Sequence, residues 1–173
     1  MSVNLTEILG RLKADPLHEV LPPQGLPKLR EGHVLPSEVR AFYERCGGLK
    51  LNRYKEVYYS WRLVSPDEFR PATEIVIGKE LNGMAQFWEN HWASGLYVFG
   101  ETDDPREKIL VSCSDRDPFA FLDGHPETYA TDDMKVLGFE MPKLIEDLLN
   151  AEIGTIPDVD LPDRATVGAL RSV

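Results

Sequence analysis

Cysteine is nearly absent from this 173-residue chain: Cys46 and Cys113 are the only two. Each stands in or beside an apolar run, where a free thiol behaves as a small buried hydrophobe. A disulfide framework is therefore not what holds the chain, and the cysteine usage fits a reducing compartment. Long apolar runs are absent too, none approaching the about 18 residues that a membrane-spanning helix needs. Met1 to Lys13 carries no basic leader followed by an apolar stretch. The expected location is the cytoplasm, with no membrane partner. Positive charge is also scarce, with 19 Lys and Arg against 29 Asp and Glu and a net charge of −10. Holding a phosphate backbone needs a basic patch that displaces condensed counterions, so nucleic acid is not expected as a direct ligand.

What is present is ordinary globular composition, 42% apolar and 28% charged. A chain of this length buries about 70% of the surface its unfolded form exposes, enough for one core without staples. One domain over residues 1–153 and a C-terminal extension over 154–173 is the expected organisation. The charge is unevenly placed. Residues 1–100 carry 12 acidic and 12 basic side chains, 101–133 carry 10 and 3, and 134–173 carry 7 and 4. Most of the imbalance therefore falls between Glu101 and Asp133.

Leu5, Ile8, Leu9 and Leu12 recur at helical spacing behind Asn4, and Asp15-Pro16 supplies a stop, which predicts a helix over 4–14. A Pro-rich arm follows from Leu21 to Pro27. Leu35 to Gly48 reads as a second helix: Pro36 stands at its start, Val39, Phe42, Tyr43 and Cys46 form one apolar face, and Gly47-Gly48 ends it. Val57 to Leu63 has strand composition, and Ser65 to Phe69 suggests a cap with one short turn. Glu74 to Gly78 fits either a strand or a helical turn. Met84, Phe87, Trp88, His91 and Trp92 fall on one face of a helix placed at 84–93. From Gly95 the period changes. Leu96 to Gly100, Lys108 to Cys113 and Pro118 to Leu122 read as strands of an antiparallel meander. A last helix follows Phe139, with Leu144, Ile145, Leu148 and Leu149 as its buried face. The fold class is α+β, a mostly antiparallel sheet with helices packed on one side.

Three stretches, taken in order, resemble the motifs of the SUKH superfamily, which includes fungal cell-wall assembly regulators and bacterial immunity proteins. They are Leu35-Pro36 through Gly47-Gly48; Leu96 through Glu101 with its acidic loop and Ile109-Leu110-Val111; and Phe119 through Asp123 with the Phe139 to Leu149 helix. Cys46-Gly47 stands where members often have Asn-Gly, and Met141-Pro142 interrupts the usual aromatic pattern of the last helix. The resemblance covers roughly residues 5–150. It implies a SUKH-like fold and a non-enzymatic protein-binding role, as an immunity protein against a bacterial toxin domain. The alternative it implies is a regulatory or scaffold module for an endogenous protein.

Catalytic chemistry finds little support. No Gly-x-Ser-x-Gly turn displays a nucleophile, and Cys46 at a helix C-terminus faces a dipole that disfavours a thiolate. His18, His33, His91 and His125 show no metal-ligand spacing. Asp115-Arg116-Asp117 lacks the glycine and further oxygens of a calcium loop and reads best as a turn between strands. Neither a cofactor nor a metal is expected. Phe87, Trp88 and Trp92 suit a partner interface, but a buried helix face accounts for them better. The acidic turns have two readings, solvated loops that maintain solubility or a negative surface that steers a basic partner. The candidate partner-binding residues are Glu101, Asp103, Asp104, Glu107, Asp115 and Asp117, and the candidate partner is a basic toxin domain. Glu127, Asp132 and Asp133 occupy a third turn, so at least two acidic clusters can converge at one end of the sheet.

Overall fold

The computed structural model describes residues 4–52, 60–76, 91–114 and 119–151. These form an eight-stranded antiparallel sheet with four helices, an α+β fold. The helices are α1 (Leu5–Ala14), α2 (Ser37–Tyr43), α3 (Ala72–Val76) and α4 (Met141–Asn150). The strands are β1 (Glu19–Val20), β2 (Leu49–Lys50), β3 (Arg62–Leu63), β4 (Arg70–Pro71), β5 (Leu96–Glu101), β6 (Lys108–Ser112), β7 (Phe121–Asp123) and β8 (Val136–Gly138). Their order is β1-β2-β3-β5-β6-β7-β8, with β4 also pairing β5 beside β3.

The helices expected at 4–14, 35–48 and after Phe139 form as α1, α2 and α4, for reasons legible in their residues. Asn4 Oδ1 accepts the Glu7 N–H and so caps α1, while Ile8, Leu9 and Leu12 are buried. In α2, Val39, Phe42 and Tyr43 are buried, and the chain turns after Tyr43 through Gly47 and Gly48. Gly48 has φ 134°, and a Cβ there would stand 2.9 Å from the Leu63 carbonyl oxygen, so glycine is required. The segment from Ala72 resolves as helix. Ser65 and Glu68 form a capping box on the 3₁₀ turn Pro66–Glu68.

Strands β5, β6 and β7 are buried on both sides, which is why they read as near-continuous apolar runs. Tyr97, Phe99, Ile109, Val111 and Phe121 join the core beneath the apolar faces of α1, α2 and α4. Leu96, Val98, Leu110 and Leu122 point to a second core closed by Ala72, Ala93, Tyr129, Met134 and Val136. A bulge between Val98 and Gly100 shifts the β5–β6 register. An added Cβ at Gly100 would lie 3.1 Å from both Ile109 Cδ1 and Leu63 Cδ2, so little room remains there.

Of the helix expected at 84–93, residues 84–90 lie outside the described residues. Trp92 lies in the 3₁₀ turn Trp92–Gly95, where the His91 ring accepts the Ala93 N–H. Trp92 packs against the second core, and His91 is half-buried. Phe87 and Trp88 lie outside the described residues, as do 57–59 of the predicted strand and the 154–173 extension.

Candidate acidic interface at one end of the sheet

β5 ends at Glu101 and β6 begins at Lys108, with those two residues in register. The turn between them is tied internally. Asp104 N–H donates to Thr102 Oγ1 at 3.1 Å, and Glu107 N–H to the Asp104 carbonyl at 3.1 Å. Asp104 Oδ1 accepts the Arg106 N–H at 2.9 Å, and its carboxylate also receives the Arg106 guanidinium. These bonds hold the Asp104 carboxyl down to about 2.

The third turn reaches this same end. Ile109 pairs with Asp123, the last residue of β7, and Gly124 N–H donates to the Lys108 carbonyl at 2.9 Å. Gly124 has to be small: an added Cβ would lie 2.8 Å from both Leu110 Cγ and Lys108 Cβ. Burial, and then the negative charge of Asp123, raise the Glu107 carboxyl above its ordinary value. Burial likewise raises Asp123, against the His125 N–H that it accepts at 2.9 Å. The first and third acidic turns therefore meet.

The predicted residues separate into distinct groups. Glu101 faces a cation at each oxygen, because Arg62 of β3 pairs with one and Lys108 lies 3.5 Å from the other. Arg62 also donates to Glu68 at 2.7 Å. Partial burial works against the charged form of Glu68, but hydrogen bonds from Arg62 and Ser65 outweigh it and hold its carboxyl below the usual range. The Lys108 side chain is only 7% exposed and has Glu101 as its ion-pair partner. Asp103 is exposed and Glu107 half-buried. Asp115 and Asp117 lie outside the described residues. Their flanking strand ends, Ser112 and Phe121, stand at the opposite ends of β6 and β7 from Lys108 and Asp123. Asp123 was missed from sequence because it closes an apolar strand, and only the strand register brings it beside Glu107. Glu127, Asp132 and Asp133 are exposed on the third turn.

Other chemistry is weakly provided for. Burial pushes the Cys46 thiol up to about 11 and the Cys113 thiol up to about 12, so neither is a thiolate nucleophile at neutral pH. Among the described residues, no group of three His, Cys, Asp or Glu side chains is placed to hold a metal ion. No helix among them is long and apolar enough to cross a membrane. A groove of about 890 Å³ runs between α1, α2 and the start of α4, lined by Glu7, Glu38, Arg45 and Glu140 among others. Two of its carboxylates serve helix N-termini: Glu38 accepts the Met141 N–H at 3.0 Å, and Glu7 lies in the first turn of α1.

The fold and this surface together describe an α+β domain with a negatively charged sheet end. Over 92 residues, 53% of the chain, the sequence is 42% identical to a protein of Bacillus subtilis strain 168 named Immunity protein YokJ. The match spans half the length of that relative. No family model matches the chain, and no solved structure matches it.

Proposed function

We propose that the chain is a non-enzymatic, cytoplasmic immunity protein of the SUKH superfamily that binds and neutralises a bacterial toxin domain. The observation that carries this reading is the 42% identity to Immunity protein YokJ over 92 residues. The contact surface is the acidic sheet end, where Asp103, Asp104 and Glu107 join Asp123, with Glu101 as its foundation. Asp115 and Asp117 belong to the proposal on sequence alone. The complementary toxin surface is basic, since a concentrated negative field speeds encounter with a positive partner and penalises others. Neutralisation of this kind needs neither a cofactor nor a covalent step, because the domain covers the toxin's working groove.

The test is to mix the purified chain with the toxin domain encoded beside its gene. A stoichiometric complex is expected whose association slows as salt rises, because screening shortens the reach of the field. Asp103→Asn with Glu107→Gln should slow association several-fold at low salt, with little change in dissociation. Failure to form any complex at low salt overturns the reading.

A further inference from the structure

The arm from Leu21 to Leu35 lies along the domain with residues 22–26 exposed. Near its first end, Leu21 exchanges backbone hydrogen bonds with Gly47 and Gly48. Near its second end, Val34 N–H donates to the Cys113 carbonyl at 2.8 Å, and Arg30 pairs with Glu74 of α3 at 2.6 Å. Between these ties stands the hydroxyl of Tyr97. It accepts the Arg30 N–H at 3.0 Å and lies 2.8 Å from His33 Nδ1.

A phenol hydroxyl has one proton to give. Tyr97 is 1% exposed, its ring stacked on Phe69 at 5.1 Å with the His33 ring edge-on at 5.6 Å. Among the described residues, the hydroxyl's other contact is a donor, the Arg30 N–H, so the group placed to take the hydroxyl proton is His33 Nδ1. The arrangement is complete when His33 is neutral, with its proton on Nε2 and its Nδ1 lone pair facing Tyr97. Protonation turns Nδ1 into a donor aimed at the hydroxyl, whose own proton then loses its acceptor. One side has to move. Tyr97 is fixed in β5 between paired strands, so the arm is the side that gives.

We propose that the His33–Tyr97 contact is a pH-sensitive latch that holds the 21–35 arm against the sheet while His33 is neutral and releases its 30–34 end when His33 is protonated. Among the described residues, the charged and titratable groups beside the Tyr97 hydroxyl include Arg30 and Glu74, which neutralise each other as an ion pair, and Cys113, whose buried thiol stays protonated. Lys28 and Glu31 on the arm are exposed, as is Arg70 on β4, next to the Pro71 that pairs with Tyr97. Tyr129 also lies near Arg30 and is bonded to Thr73 at 2.8 Å.

The test uses the full chain, isotope-labelled, followed by NMR from pH 7.5 downward. At pH 7.5 the His33 ring should carry its proton on Nε2 alone. As His33 protonates, exchange of the Arg30 amide should accelerate at least about ten-fold beyond the intrinsic pH dependence, as expected when a buried group loses its partner. The Leu110 amide in the centre of the sheet should not respond. In Tyr97→Phe, the Arg30 amide should exchange fast throughout and the step should vanish. A proton on Nδ1 at pH 7.5, or Arg30 protection that stays constant through His33 protonation, overturns the latch; the tautomer measurement needs no variant.

Discussion

Glu101 and Glu107 lie near the two ends of one turn. Glu101 closes β5, and both its oxygens face cations, Arg62 and Lys108. Glu107 precedes β6 and has carboxylates for neighbours, Asp123 and Asp104, with His125 and Arg106 as the opposing charges. The first is an internal fastening that lets Lys108 be buried. The second is charge held beside like charge, which the fold tolerates and a basic partner would relieve. A count of acids in the segment treats the two alike, whereas the strand pairing makes one structural and leaves the other available.

The sharpest way to break this comparison is Glu101→Ala. Arg62 keeps Glu68, but Lys108 is left buried without its counter-charge. The expected loss is about 2–3 kcal/mol in urea denaturation, less than for a fully buried pair because Arg62 is 37% exposed. A loss no larger than that of an ordinary surface substitution would make Glu101 one more solvated acid. Gly124→Ala tests the seat of Lys108 from the other side. Its added methyl meets Leu110 and Lys108 stem atoms at 2.8 Å, and overpacking of this kind costs about 1–3 kcal/mol.

The smallest effects are those of pH, and their signs oppose. Asp104 titrates at about 2 when folded, against about 3.9 in an unfolded chain. Its contribution is present above the unfolded value and lost as pH falls toward 2. Asp104→Asn should therefore lower the denaturation midpoint at pH 7, with the gap closing in strong acid. Glu107 is raised on folding, so its ionised form opposes the folded state above its folded value, and that opposition disappears on acidification below its unfolded value. Glu107→Gln should raise the midpoint slightly at pH 7 and leave it unchanged in acid. Equal signs for the two variants at pH 7 would erase the distinction between the two kinds of carboxylate.

How much of this was legible depended on the range of the interaction. Helices α1 and α4 were readable because Asn4, Pro142 and the spacing of Leu144, Ile145 and Leu148 act within one or two turns. The β5–β6–β7 meander was readable because burial on both faces leaves unbroken apolar runs. Strands β1, β2 and β4, two residues each, and β8, three, are too short to show a period, and their pairing is decided by partners distant in sequence. For the same reason the second core, closed by α3 and the Tyr129 loop, had no sequence signal of its own.

By itself, the sequence determined that the negative charge is concentrated between Glu101 and Asp133, which helix faces are apolar, and where the meander runs. Those are properties of neighbouring residues. Only the tertiary structure decided that Asp123 joins Glu107, that Arg62 and Lys108 take up Glu101, and that His33 meets Tyr97. Each of these contacts is set by strand register or by an arm crossing the sheet. Register is fixed by the collective packing of two faces, and no local run of residues encodes it.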